Sequence, residues 1–168
     1  MAAVRDVILF GVIIFALGIA FFSTKFIIGD VVDKLRDIPA FNESQPALDA
    51  LQGSIDVTER MDYVVFGVFI GLVLGILVTG WFIAGNAIFS FIYFLVSVIG
   101  VALSAVLANS WETATQMAIF GNTLASFPIT NNIMLNLPIY TAVIAFLGMV
   151  VIFAKPAITG GGAGGEFF

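Results

Sequence analysis

The order of apolar and polar positions divides the chain into long uncharged runs separated by two more polar stretches. Val7 to Thr24 is eighteen residues without a charge, and its helical spacing of apolar residues continues through Phe26, Ile27, Val31, Val32 and Leu35. This predicts a first span over 6–28 whose helix runs on to about 37. In the projecting part Asp30, Asp33, Lys34 and Asp37 lie away from the apolar residues, with Asp30 and Lys34 at i, i+4 in the favourable order. Pro39 pushes Ile38 toward extended backbone and ends the pattern.

From Tyr63 to Trp111 there are 49 residues without a charge. As one helix they would measure about 73 Å at about 1.5 Å per residue, against about 30 Å of hydrocarbon. The run therefore folds back, and Gly85-Asn86 is its best turn signal, giving spans at 63–84 and 87–108. Residues 109–132 read as an interfacial segment, with Ser110 capping a short helix that carries Trp111, Met117 and Phe120. The alternative is a re-entrant turn, which needs protein or water around its backbone. A last span covers 133–154, opened by Asn136 and Pro138 and closed by Lys155-Pro156. The tail at 155–168 is glycine-rich and ends in Phe167 and Phe168, an apolar plug suited to docking on a neighbour.

The fold class expected is an all-α integral membrane protein with four transmembrane helices and an acidic extramembrane loop at 38–60, punctuated by Pro39, Pro46 and Gly53, with a short helix at 47–51 and a second helix that begins near Ser54 to Thr58 and enters the membrane after Asp62. Composition agrees: 61% of residues are hydrophobic and 10% charged, too few polar groups to cover a water-soluble domain. Residues 30–62 hold eight Asp/Glu and three Lys/Arg, 3 − 8 = −5, which is the whole net charge. Acidity thus belongs to one segment, and the absence of clustered Lys/Arg excludes nucleic acid as a partner. Without Cys or His the chain has no disulfide, no thiolate and almost no transition-metal chemistry, so no cofactor or metal is expected. The first run is too long for a signal-peptide core and no A-x-A-like site follows, so it reads as a retained span. Both termini fall on one side and the acidic loop on the other. Lys25, Lys34, Arg36 and Arg60 on the loop side outnumber Arg5 and Lys155, which favours an internal loop.

Three patterns bear on function. Gly67, Gly71 and Gly75 are spaced by four, so one face of the second span is small enough for another helix to approach closely. That helix is either another span of the same chain or a second subunit, as in a homo-oligomer. Gly11 and Gly18, with Ala16 and Ala20, form a weaker face of the same kind. Ser90, Ser97 and Ser104 recur every seven residues as a polar stripe, for hydrogen bonds between helices or for a pore lining. No charge falls in the middle of any span, which removes the usual carriers of coupled transport. Glu59 and Asp62 read as a hydrated acidic face beside Arg60, and GGGAGG at 160–165 lacks the Lys-Ser/Thr and helix of a phosphate loop. Nothing resembles a catalytic set.

The run SFPITNNIMLNLPIYTAVIAFLGMVVIFAKP, with Phe127-Pro128, Asn131-Asn132, Leu137-Pro138 and Lys155-Pro156, resembles small integral membrane proteins of viruses that carry an internal lipid membrane beneath a double jelly-roll capsid. The resemblance covers about thirty residues. It implies a structural protein of the virion membrane that anchors the capsid to lipid or serves genome delivery, with the bilayer and other membrane or capsid proteins as partners. A holin-like or channel-forming protein and an accessory subunit of a cellular membrane complex are the alternatives.

Overall fold

In lipid every backbone N–H and C=O must be satisfied within the protein, and helices do this locally. The computed structural model describes residues 2–83, 87–117 and 120–158, and among them there are eight helices and no strand. They are α1 (Ala2–Arg36), α2 (Pro39–Asn42), α3 (Gln45–Glu59), α4 (Met61–Ile83), α5 (Ala87–Thr115), α6 (Gly121–Leu124), α7 (Pro128–Leu135) and α8 (Leu137–Ile158). Four stretches are long and apolar enough to cross a membrane, within α1, α3–α4, α5 and α8. The protein is therefore built as a multi-pass membrane protein.

The spanning helices form a ring in which α1 packs on α4 and α5, and α8 packs on the same two from the other side. Val7, Phe10 and Ile14, at helical spacing on α1, fill the centre with Phe69 and Ile76 of α4 and Ile144 and Ile152 of α8. Outside, Phe82 is 75% exposed, and Phe91, Phe146 and Phe153 stand out in the same way. An apolar exterior on that scale is stable against acyl chains and not against water.

At 35 residues α1 is about 52 Å long, so its C-terminal part projects beyond the hydrocarbon. Lys34 bonds Asp30 at 2.6 Å there, and Lys34 with Arg36 complements the negative end of the helix dipole. Ile38 is extended ahead of Pro39, which ends the helix.

The acidic segment differs from the expected loop, because residues 45–59 form a full helix through Gly53. Ala47, Leu48, Leu51, Ile55 and Thr58 turn one face of α3 inward, and α3 packs on the projecting part of α1. Gln45 donates to Asp49 and Gln52 to Asp56, both one turn on, and Arg36 reaches Gln52 at 3.4 Å. Tertiary burial and these bonds offset the roughly 1 kcal/mol that a helical glycine costs. Arg60 keeps right-handed helical backbone between α3 and α4, so the two run nearly as one helix.

The segment expected on the membrane surface also differs. α5 continues seven residues past the expected end at 108, and Ser110 bonds Val106 O inside it instead of capping a new helix. Trp111, expected at the interface, is fully buried. Its ring meets Phe22 at 5.4 Å and its Nε1 donates to Asn131 Oδ1 at 2.9 Å. Phe127, Thr130, Ile133 and Met134 are buried as well, so one face of α7 packs into the bundle while Pro128, Asn132 and Leu135 on the other are exposed. A break at Asn136 separates α7 from α8, and Pro138 accounts for it: proline has no N–H for the Met134 carbonyl and its ring crowds that group.

Asp62 holds α7 in place. Read from sequence as hydrated, it is 3% exposed, and its carboxylate accepts from Ile129 N at 3.0 Å, Thr130 N at 2.7 Å and Thr130 Oγ1 at 2.7 Å. Those two amides belong to the first turn of α7, where no intrahelical acceptor exists and no local side chain caps the helix. Glu59, the other half of the acid pair, remains exposed and meets Lys25 at 3.9 Å, a contact that water largely screens.

Asp62→Ala leaves three buried donors unpaired and is expected to lower stability in detergent by about 3 kcal/mol or more, with Asp62→Asn in between. Thermal unfolding followed by Trp111 fluorescence in a Trp81→Phe background measures this. An unchanged midpoint for Asp62→Ala contradicts the cap.

Candidate functional site

The candidate site is a set of helix faces. Its small residues fall into an inner and an outer group.

The inner group brings helices together within one chain. A Cβ built on Gly18 would meet the terminal methyl of Met134 and stand 3.4 Å from both Thr130 Cγ2 and Trp111 Cζ3. One on Gly11 would stand 3.7 Å from Leu107 Cδ1. Gly11 and Gly18 thus seat α1 against α5 and α7. Three further glycines do the same work without a signal in the sequence. A Cβ on Gly100 would stand 3.1 Å from Val7 Cγ1, one on Gly80 would stand 3.7 Å from the Gly148 carbonyl oxygen, and one on Gly148 would run into the Tyr93 hydroxyl. None has a glycine four residues away, and Gly100 and Gly148 are alone in their helices, so only the assembled bundle reveals them. Tyr93 is buried in the α5–α8 seam, and its hydroxyl is without a hydrogen-bond partner among the described residues.

The outer group is Gly67, Gly71 and Gly75. All three are exposed, and a Cβ on any of them meets no heavy atom of the described residues within 4 Å. Of the two readings offered by the sequence, packing against another span of the same chain is therefore not what the fold does. Gly71 and Gly75 border a shallow groove of about 210 Å³ against Leu9 and Ile13 of α1. The face is continuous, lipid-directed and lacks side-chain bulk.

The serine stripe points inward. Ser97 and Ser104 are buried, and their hydroxyls donate to the Tyr93 and Val101 carbonyls of their own helix at 2.7 and 2.8 Å. Thr141 of α8 does likewise with Leu137 O at 2.8 Å. These bonds satisfy each hydroxyl within its helix, so Ser97 and Ser104 neither join helices by hydrogen bonds among the described residues nor line the outer surface. The side chain of Ser90, the Gly85-Asn86 turn, and Phe167 and Phe168 of the tail lie outside the described residues.

In comparison with known proteins, no family, no curated protein and no solved structure matches the chain.

The two glycine groups predict opposite mutational behaviour. Gly18→Leu forces bulk into a packed seam and is expected to cost about 2–3 kcal/mol, whereas Gly71→Leu meets no neighbour and is expected to leave the detergent-solubilised monomer undestabilised or up to about 1 kcal/mol more stable through helix propensity. In membranes Gly71→Leu is expected to reduce subunit crosslinking more than Leu72→Ala does. Equal losses of stability for the two leucine variants, or equal crosslinking for Gly71→Leu and Leu72→Ala, count against the division.

Proposed function

We propose that this protein is a non-enzymatic structural membrane protein, a subunit of a multi-protein membrane assembly. The observation that carries the reading is the outward face of Gly67, Gly71 and Gly75, which no part of the described chain covers. Between helices in lipid there is little hydrophobic gain, so association relies on close backbone approach, and small residues on an outer face permit it. A helix with only lipid to meet has no need of three glycines in register, each costing up to about 1 kcal/mol of helix stability.

Further support comes from the projecting α1–α3 pair, which offers a hydrated acidic surface outside the bilayer for contacts with soluble partners. The resemblance of residues 126–156 to small membrane proteins of internal-membrane viruses makes a virion membrane the proposed setting, with the chain linking lipid to capsid. A holin-like or channel role needs hydroxyls facing water, and burial of Ser97 and Ser104 inside the bundle disfavours it.

Two measurements test the proposal. Purified protein in planar bilayers is expected to leave the membrane electrically tight, and gentle extraction of the native membrane is expected to recover it with capsid or other structural proteins. Stepwise conductance, or recovery with a respiratory or transport complex, contradicts the reading.

A further inference from the structure

α1 leaves the hydrocarbon at Lys25, the first charge after the uncharged run from Val7 to Thr24. From there Lys25, Gly29 and Asp33 follow at four-residue steps and share one face of the projecting helix. That face is one wall of a pocket of about 300 Å³, and Thr123 of α6 with Ser126 in the turn after it form the other. Phe120, just before α6, fixes the second wall to the first by meeting Phe22 and Phe26 with ring centres 5.0 and 4.9 Å apart. At Gly29 the floor is open, since a Cβ there would meet no heavy atom of the described residues within 4 Å.

The charges at the two ends of this pocket are poorly satisfied. The Lys25 side chain is only 14% exposed, yet its one ion-pair contact among the described residues, with Glu59, is at 3.9 Å, too long for a hydrogen bond. A mostly buried ammonium brings three donors and is costly without acceptors around it. At the other end Asp30 is taken by Lys34 at 2.6 Å, whereas Asp33 has no ion pair among the described residues. Lys25 and Asp33 do not close on each other, being about 12 Å apart along the axis at about 1.5 Å per residue. A ligand that satisfies both is anionic at the membrane end and cationic at the outer end.

We infer that the pocket holds the headgroup of a membrane phospholipid with a primary ammonium on a short arm beyond its phosphate, as in phosphatidylethanolamine. The Lys25 ammonium takes the phosphate and the Asp33 carboxylate takes the lipid ammonium, while Gly29 lets the two-carbon arm lie against α1. Thr123 and Ser126 add hydroxyls able to donate to the one and accept from the other. The order of the charges points to a lipid. In a bilayer the phosphate lies next to the glycerol and the amine lies outside it, the same order in which Lys25 stands at the hydrocarbon boundary and Asp33 beyond it. A choline nitrogen has no N–H to give Asp33, and a glycerol headgroup has no cation. This site is independent of the assembly reading above.

Native mass spectrometry of the detergent-solubilised protein, titrated with phosphatidylethanolamine, phosphatidylcholine and phosphatidylglycerol of the same acyl chains, reads the site. The protein is expected to hold phosphatidylethanolamine about tenfold or more tightly than either of the others. Asp33→Asn is expected to remove that preference, and Lys25→Gln to weaken phosphatidylethanolamine about tenfold. Gly29→Leu, which puts a side chain into the pocket, is expected to weaken it as much without lowering the unfolding midpoint. Equal affinity for the three lipids, or a preference that survives both Asp33→Asn and Gly29→Leu, overturns the site. Soluble glycerophosphoethanolamine bound as tightly as the lipid overturns the bilayer as the source of the headgroup.

Discussion

A carboxylate in an apolar bundle is costly unless donors surround it, and the first turn of a helix buried in that bundle is costly unless an acceptor meets it. Asp62 and α7 solve each other's problem with three bonds of 2.7–3.0 Å. The rest of the acidic-side architecture follows. With its N-terminus fixed to the start of α4, α7 presents Asn131 to the Trp111 indole and lays Thr130 and Met134 over Gly18 of α1. α8 then departs from the break at Asn136 and packs between α4 and α5. Four helices are thereby tied at one end by a short fifth.

How much of this could be read beforehand depends on the range of the interaction. Span number and approximate limits follow from uncharged length, a property of each run alone. The Asp30–Lys34 pair and the stop before Pro39 are local too, and both appear as their spacing implies. Asp62 was misread because its neighbours in sequence, Glu59 and Arg60, are hydrated while its partners lie 67 and 68 residues away. α3 and the end of α5 exceeded their expected lengths for the same reason: burial against α1 outweighs Gly53, and Phe22 with Asn131 gives Trp111 a better site than the interface. Glycine spacing found the outer face but could not say which way it points.

That direction matters most for function. Gly11, Gly18, Gly100 and Gly148 are consumed inside the chain, each against a named side chain, whereas Gly67, Gly71 and Gly75 face outward and no described residue would touch a Cβ placed on them. The fold is thus closed by one set of small residues and leaves another open. Ser97 and Ser104 face inward while Gly67, Gly71 and Gly75 face outward, an arrangement that supports the proposed subunit contact, and the acidic helical pair stands beside it on the α3 side.

The central claim, that the outer face is a subunit contact, is tested most directly by the mass of the particle released from membranes in its native lipid without detergent. The account predicts particles in which the 17.9 kDa chain is held with a second copy or with other proteins, and fewer such particles for Gly71→Leu. A single copy with lipid alone, for wild type and variant alike, would contradict it.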